Sequence, residues 1–336
     1  MMLNDYLESY FLDEELKSIF QDVMGNQQVD ILNEWVVEAV ETHLSSSIQA
    51  VLFIQSSIGV VFGFLLDNNQ KVVLKVYSPK LSKTYLEEMN RIQRLFFDKQ
   101  FPAPQVISPI FQLGSSHAGF YQCIEGNKAN PHQPAIRDEL AYYLARFSKI
   151  VEANNITPMI NFFQQAGKKQ LWPTPHNLLF DLKRSTQGAG WIAKKAQRAR
   201  KRLAQSSLKK RLAHTDWGIK NALFHEKQLV GIFDWDSLGS MSEPEMVGRA
   251  AAQFTADWEM GLKVTPSPEE GRLFVKSYED YSEKKFSREE YELISGSADY
   301  LISIIARFEH AGNDPSSHPY QDLLKDCGET GFLFSF

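Results

Sequence analysis

A change of hydrophobic period at about residue 50 limits the folds open to this chain. Three short runs, AVLFIQS, VVFGFLL and KVVLKVY, are separated by Gly59 and by Asp67-Asn68-Asn69-Gln70. Turn-forming residues between β-branched and aromatic runs predict an antiparallel meander. The flanking sequence has helical spacing instead. Before the meander, Leu12, Leu16, Ile19, Phe20 and Val23 recur up to a stop at Gly25-Asn26, and Ile31, Trp35, Val36, Ala39 and Val40 repeat the pattern up to Ser45-Ser46-Ser47. After it, TYLEEMNRIQRLFF places Leu86, Met89, Ile92, Leu95 and Phe96 on one helix face, and the two prolines of FPAPQVIS end that helix. GFYQCIEG predicts one more strand, closing at Gly126. From about residue 136 helical patterns dominate, over 137–151, 191–212, 242–260, 268–281 and 288–311. The result is an α+β chain: a helical extension over 1–46, a small antiparallel-sheet lobe over 47–127, and a larger helical lobe over 128–336.

The 336 residues, 43% of them hydrophobic, suffice for two such lobes, and the net charge of −5 gives no global argument for nucleic acid or an anionic membrane as partner. The strongest charge run is KKAQRARKRLAQSSLKKR, residues 194–211. Ile192, Ala196, Ala199 and Leu203 form an apolar stripe beneath it, so it reads as the solvated face of a helix, with nucleic-acid binding as the sharper alternative. The first twenty residues carry acids where a secretion signal carries bases, and no run approaches about 18 apolar residues. A soluble, cytoplasmic protein is expected. The two cysteines, Cys123 and Cys327, have no metal-ligand spacing and no neighbouring His.

Chemistry concentrates in two stretches, HTDWGIKN at 214–221 and GIFDWDS at 231–237. Between them ALFH and LVGIF read as a hairpin turning at Glu226-Lys227-Gln228, which sets Asn221 opposite Asp234 at its open end. Facing positions on paired strands lie about 5 Å apart, close enough for an amide oxygen and a carboxylate to share one hard cation. Mg²⁺ suits so sparse a site, because it completes its shell with phosphate and water. Asp216, in the preceding loop, is placed to orient a hydroxyl and accept its proton. Alone, Asp216 and Asn221 would equally suit turn residues bonding to local backbone. Asp236 either assists the metal or caps the next helix, and Trp235 is assigned to packing.

H-x-D-x-x-x-x-N followed by a hairpin and Asp-Trp resembles the aminoglycoside phosphotransferase and choline kinase family, which has the protein-kinase-like bilobal fold. The Asp-Phe-Gly and Ala-Pro-Glu signatures of protein kinases proper are not present. The resemblance implies ATP, or GTP, with Mg²⁺, and a small-molecule hydroxyl acceptor, including cationic ones such as an aminoglycoside or choline. It implies Asp216 as catalytic residue, Asn221 and Asp234 as metal ligands, and His214 as an anchor of the metal-binding segment. In the first lobe it implies Lys75 paired with Glu88, or failing that Glu87, since a strand lysine among apolar residues needs a partner unless it reaches solvent. Ser57 and Gly59 would form the phosphate-covering turn, and backbone groups of Gln122 to Ile124 would meet the nucleobase. The acceptor pocket would come from residues 155–210 and 240–336, where Glu243, Glu245, Asp257, Glu259, Glu269 and Glu270 either line it or lie on the surface. Thr215, Gly218 and Lys220 depart from the H-G-D-x-H-x-x-N form common in the family, and Lys220 is a candidate phosphate-contacting charge. A binding or scaffold protein that keeps the fold without phosphotransfer is the competing reading. Neither a nucleic acid nor a membrane is expected as partner.

Overall fold

The computed structural model describes residues 3–160, 170–175, 182, 186–312, 318–328 and 330–334. The chain divides into two units, Met1–Glu125 and Gly126–Phe336.

The first unit begins with three helices, α1 (Leu3–Tyr10), α2 (Glu14–Met24) and α3 (Val29–Leu44). The Asp13 side chain caps the N-terminus of α2, and Gly25, with φ of 79°, closes its C-terminus by donating to the Gln21 carbonyl. Strands β1 (Ile48–Ser56), β2 (Val60–Leu66) and β3 (Lys71–Val76) form the expected meander, then come α4 (Lys83–Asp98), β4 (Phe111–Leu113) and β5 (Ser116–Gln122). The antiparallel sheet runs β1-β2-β3-β5-β4. Strands β4 and α1 were not legible in the sequence, being too short to show a period. Leu7, Phe20, Val23, Val36 and Val40 of the helices enter one core with Phe62, Phe64, Leu74 and Phe120 of the sheet. Each such side chain contributes about 1.5–3 kcal/mol on burial, so the opening helices are part of this unit's core.

The second unit contains α5 (Pro134–Ala153), α6 (Gly190–Ala204), four short strands, β6 (Arg211–His214), β7 (Ala222–His225), β8 (Gln228–Ile232) and β9 (Leu238–Met241), then α7 (Glu243–Gln253), α8 (Pro268–Ser282), α9 (Arg288–Gly312) and α10 (Pro319–Asp326). The helix expected over 191–212 stops at Ala204, because residues 211–214 pair with β9 instead. Ile192, Ala196 and Ala199 of α6 are buried, leaving most of its basic residues toward solvent. The helix expected over 242–260 ends at Gln253, and Phe254 then gives its carbonyl to the Ile219 amide. Among the described residues no helix is long and apolar enough to cross a membrane.

Helices α7 and α9 meet closely at Gly248, where a Cβ would lie 2.0 Å from the Ile294 carbonyl oxygen. Neither backbone can yield without separating the helices. Gly248→Ala is therefore expected to destabilise the protein by about 1–3 kcal/mol, read as a lower urea midpoint.

Candidate active site

Two interleaved two-stranded sheets build the site. Strand β6 pairs with β9, His214 facing Leu238, while β7 pairs with β8, so the loop leaving β6 and the segment entering β9 emerge together. The register differs by one residue from the sequence expectation. Asn221 faces Phe233, whose N–H donates to the Asn221 carbonyl at 2.8 Å, and Asp234 lies one residue beyond. The two-residue turn Glu226-Lys227 alone would set Asn221 opposite Ile232, and the bulge between Leu223 and Phe224 adds one residue on β8, which leaves Phe233 opposite Asn221. Asp234 itself has φ 61° and ψ 46°, a left-handed conformation that Asp tolerates better than most residues, and it heads a tight turn over Trp235–Ser237.

An aromatic cluster fixes this segment. The His214 ring lies 5.5 Å from Trp217 and 6.3 Å from Trp235, with Phe147 of α5 edge-on behind it at 6.5 Å. Trp217 Nε1 donates to the Leu140 carbonyl of α5 at 3.0 Å, and Trp235 Nε1 to the Ile232 carbonyl at 2.9 Å. His214 Nε2 lies 2.9 Å from the Phe233 carbonyl, which can only accept, so Nε2 carries the proton. Nδ1 then accepts from Ser237 Oγ at 3.1 Å. The Thr215 hydroxyl donates to the Ser237 carbonyl at 2.8 Å, tying the two loops a second time. His214 thus fixes the peptide just before Asp234.

Burial pulls the His214 imidazole below its ordinary 6.5. The unfolded chain therefore takes up a proton first as pH falls below 6.5, and the folded state loses stability until its own lower value is reached. Burial acts in the same direction on His43. In a series of urea midpoints from pH 7.5 down to about pH 5, the acid loss of stability should be shallower for His214→Asn than for the wild type.

The Asp216 carboxylate sits at the centre of the loop and is about a quarter exposed. Asn221 Nδ2 donates to its Oδ2 at 3.0 Å and to its backbone carbonyl at 2.8 Å, and Lys220 Nζ lies 2.8 Å from the same Oδ2. Both Asn221 donors being given to Asp216, its Oδ1 is the atom left for a cation. Asn Oδ1 and the Asp234 carboxylate are hard oxygen donors of the kind Mg²⁺ takes. Among the described residues no cluster of three or more His, Cys, Asp or Glu forms a metal cage. Asp236 lies in the turn after Asp234; the helix α7 cap is Ser242, through a capping box with Glu245.

A profile of the phosphotransferase enzyme family matches residues 61–242, just over half of the chain. The chain belongs to that family. It is an enzyme that transfers phosphate to a hydroxyl acceptor. Its fold is the protein-kinase-like one. An amicoumacin kinase solved with AMP-PNP, Ca²⁺ and Ami superposes with a TM-score of 0.61 at 13% identity, covering 87% of this chain and 91% of that one. The aminoglycoside 2'-phosphotransferase-IIIa in its GDP complex gives a TM-score of 0.55 at 14% identity, over 87% and 97% of the two chains. An ethanolamine kinase from Plasmodium vivax gives 0.50 at 13% identity, over 94% and 92%. Among curated proteins no sequence matches.

Several residues that hold the Asp216 loop of this phosphotransferase were not singled out in the sequence. Lys128 Nζ donates to the Ile219 carbonyl at 3.0 Å and to that of Lys220, and pairs with the buried Asp257 at 3.4 Å. Burial pulls the Lys128 ammonium down, with Asp257 opposing. From α7, Arg249 Nε and Gln253 Nε2 both donate to the Thr215 carbonyl. Gly218 packs under the end of that helix, where a Cβ would come within 2.9 Å of the Gln253 carbonyl, which accounts for the glycine in the position that is commonly His. That departure was the one signal in the sequence pointing to α7.

Of the six acids considered for an acceptor pocket, four serve the fold: Glu243 binds Tyr278 and Lys284, Glu245 caps α7 and pairs with Lys210, Asp257 pairs with Lys128, and Glu270 caps α8 and binds His132. Glu259 and Glu269 are exposed. Part of the stretch 155–210, expected to help build that pocket, lies outside the described residues.

In the first unit, Ser57, Ile58 and Gly59 form the three-residue turn between β1 and β2, closed by the Ser57 amide donating to the Gly59 carbonyl at 3.0 Å. A Cβ on Gly59 would meet the Val76 carbonyl at 2.5 Å, so only glycine lets this turn lie against β3. The Tyr10 and Ser56 hydroxyls are 3.1 Å apart, joining α1 to the base of the turn. Lys75 lies in β3 with its ammonium 5.3 Å from the Tyr77 ring centroid. Its expected partner Glu88 is instead held by Arg91 of the same helix through two bonds of 2.7 and 2.8 Å, and Glu87 pairs with Lys83 at 3.7 Å. The Gln122 amide donates to the Gln105 carbonyl and the Cys123 amide to the Lys71 carbonyl, whereas the amide of half-buried Ile124 has no protein acceptor among the described residues.

Proposed function

We propose that this phosphotransferase is a cytoplasmic kinase that uses ATP, with GTP as the alternative donor, and Mg²⁺ to phosphorylate a hydroxyl of a small molecule. The observation that carries the reading is the arrangement around Asp216: a partly exposed carboxylate, oriented by the Asn221 amide and balanced by Lys220, one short loop from Asp234. Asp216 orients the acceptor hydroxyl and takes its proton, and its two hydrogen-bond donors hold it in position for both tasks. Asn221 Oδ1 and Asp234 would hold Mg²⁺, which when bound neutralises phosphate charge. Lys75 and the Ser57–Gly59 turn would contact phosphates, with Ile124 the amide left for the nucleobase. Asp236, in the turn after Asp234, would have a supporting role beside the metal. The complexes of an amicoumacin kinase with AMP-PNP and of an aminoglycoside phosphotransferase with GDP support a nucleotide as phosphate donor.

A thermal-shift titration followed by an ADP-release screen over candidate alcohols tests this. Mg·ATP at about a hundred times its Kd should stabilise the protein by about 2.7 kcal/mol, and at least one alcohol should raise ADP release above background hydrolysis. No shift at millimolar Mg·ATP would overturn the reading; a shift with no turnover of any alcohol would leave only the binding or scaffold role.

A further inference from the structure

Arg249 is a cation in the wrong surroundings for a purely structural one. It projects from α7 to the catalytic loop, where Nε donates to the carbonyl of Thr215, the residue before Asp216. Only one of the five guanidinium N–H donors is used by that bond. Among the described residues the two Nη groups bond to no protein acceptor, and Arg249 forms no ion pair. The carboxylate it acts on is Asp216, which is already matched by Lys220 at 2.8 Å. Arg249 is half-buried, and burial pulls its guanidinium below the ordinary value. A half-buried guanidinium with no counter-ion of its own, whose Nη groups are still open to solvent, favours an anion arriving beside it.

The neighbourhood deepens the imbalance. Tyr300 of α9 donates its hydroxyl to the Leu171 carbonyl at 2.6 Å, and the Arg200 guanidinium of α6 lies 5.7 Å from the Tyr300 ring centroid. Arg200 and Arg249 both act electrostatically on the Tyr300 hydroxyl. Lys220 and Arg249 thus both act on one carboxylate, Asp216, while Arg200 and Arg249 share Tyr300. A guanidinium anchored by Nε presents its Nη pair as a fork, the geometry that carboxylate and phosphate oxygens match two at a time.

We propose that Arg249 binds an oxyanion of the acceptor, so that the substrate is an alcohol carrying a carboxylate or phosphate group near the hydroxyl that Asp216 orients. This rests on the kinase reading of Asp216 given above. It turns away from a cationic acceptor, in agreement with the acids already committed to caps and ion pairs.

The test compares matched alcohols: hydroxy acids, hydroxy phosphate esters, the neutral polyols of the same length, and the amino alcohols. The wild type should turn over one of the two anionic sets with kcat/KM at least about tenfold above its neutral and amino counterparts, and which set responds identifies the oxyanion. Arg249→Met should raise KM for the favoured anionic acceptor about tenfold or more with a smaller change in kcat, erasing the preference. Arg249→Lys, which keeps the charge and loses the fork, should recover part of it. Neutral or amino alcohols used as well as the anionic ones would overturn the inference and leave the kinase reading standing. A raised KM for ATP in place of the acceptor would also overturn it, by assigning Arg249 to the nucleotide. Should Arg249→Met not fold, the wild-type preference and the lysine variant still decide. No Mg·ATP shift and no turnover of any alcohol would remove the kinase reading and this inference with it.

Discussion

Asp216→Asn is expected to lower kcat by about 10²-fold or more while leaving the Mg·ATP thermal shift in place. The amide has the shape of the carboxylate, and its oxygen can still accept from Asn221 Nδ2, now 3.0 Å from Asp216 Oδ2, so the loop keeps its form. What it loses is the capacity to take the acceptor's proton. The ion pair with Lys220 is lost as well, but its members are 24% and 38% exposed, and a pair so open to solvent contributes at most about 1 kcal/mol. The variant should therefore fold with nearly the wild-type melting temperature, and its defect should appear in kcat with KM for ATP little changed. Turnover equal to wild type would remove Asp216 from the chemistry.

How far the sequence could be read followed the range of the interactions. The meander, the helices α2 to α5 and α8 and α9, and the order of the two motifs were visible because each depends on residues a few positions apart. Strand β6 was not, since 211–214 continue an amphipathic pattern and become a strand only by pairing with 238–241. A turn over residues 226–228 would already set Asn221 opposite Phe233, and the shorter turn and the bulge offset each other, so Asp234 falls one residue past the pairing, in a left-handed conformation that has no signature in this stretch. Arg249, Gln253 and Lys128 reach the Asp216 loop across 34, 38 and 91 positions, beyond any local pattern. Glu88 illustrates the opposite case. Arg91, three residues on, was a visible competitor for its carboxylate, and the shorter-range partner holds it.

Asp234 provides the second large effect, and its backbone decides which variant measures it. With φ at 61°, the residue occupies a conformation that Asp and Asn adopt more readily than other non-glycine residues. Asp234→Ala would mix loss of a ligand with backbone strain of about 1–3 kcal/mol. Asp234→Asn keeps the conformation and removes only the charge. If Asp234 and Asn221 hold Mg²⁺, two amide oxygens then face the cation with no anion between them, and several kcal/mol of charge stabilisation are lost. At 1.36 kcal/mol per tenfold, that corresponds to a fall in kcat/KM of about 10²- to 10³-fold. Half-saturation by Mg²⁺ should move to higher concentration, and the Mg·ATP thermal shift should shrink, whereas Asp216→Asn preserves that shift. An unchanged Mg²⁺ half-saturation in Asp234→Asn would place the metal elsewhere. The two variants therefore separate holding the nucleotide complex from accepting the proton, although Asp216 lies in the loop that leads into the hairpin and Asp234 just past its other end.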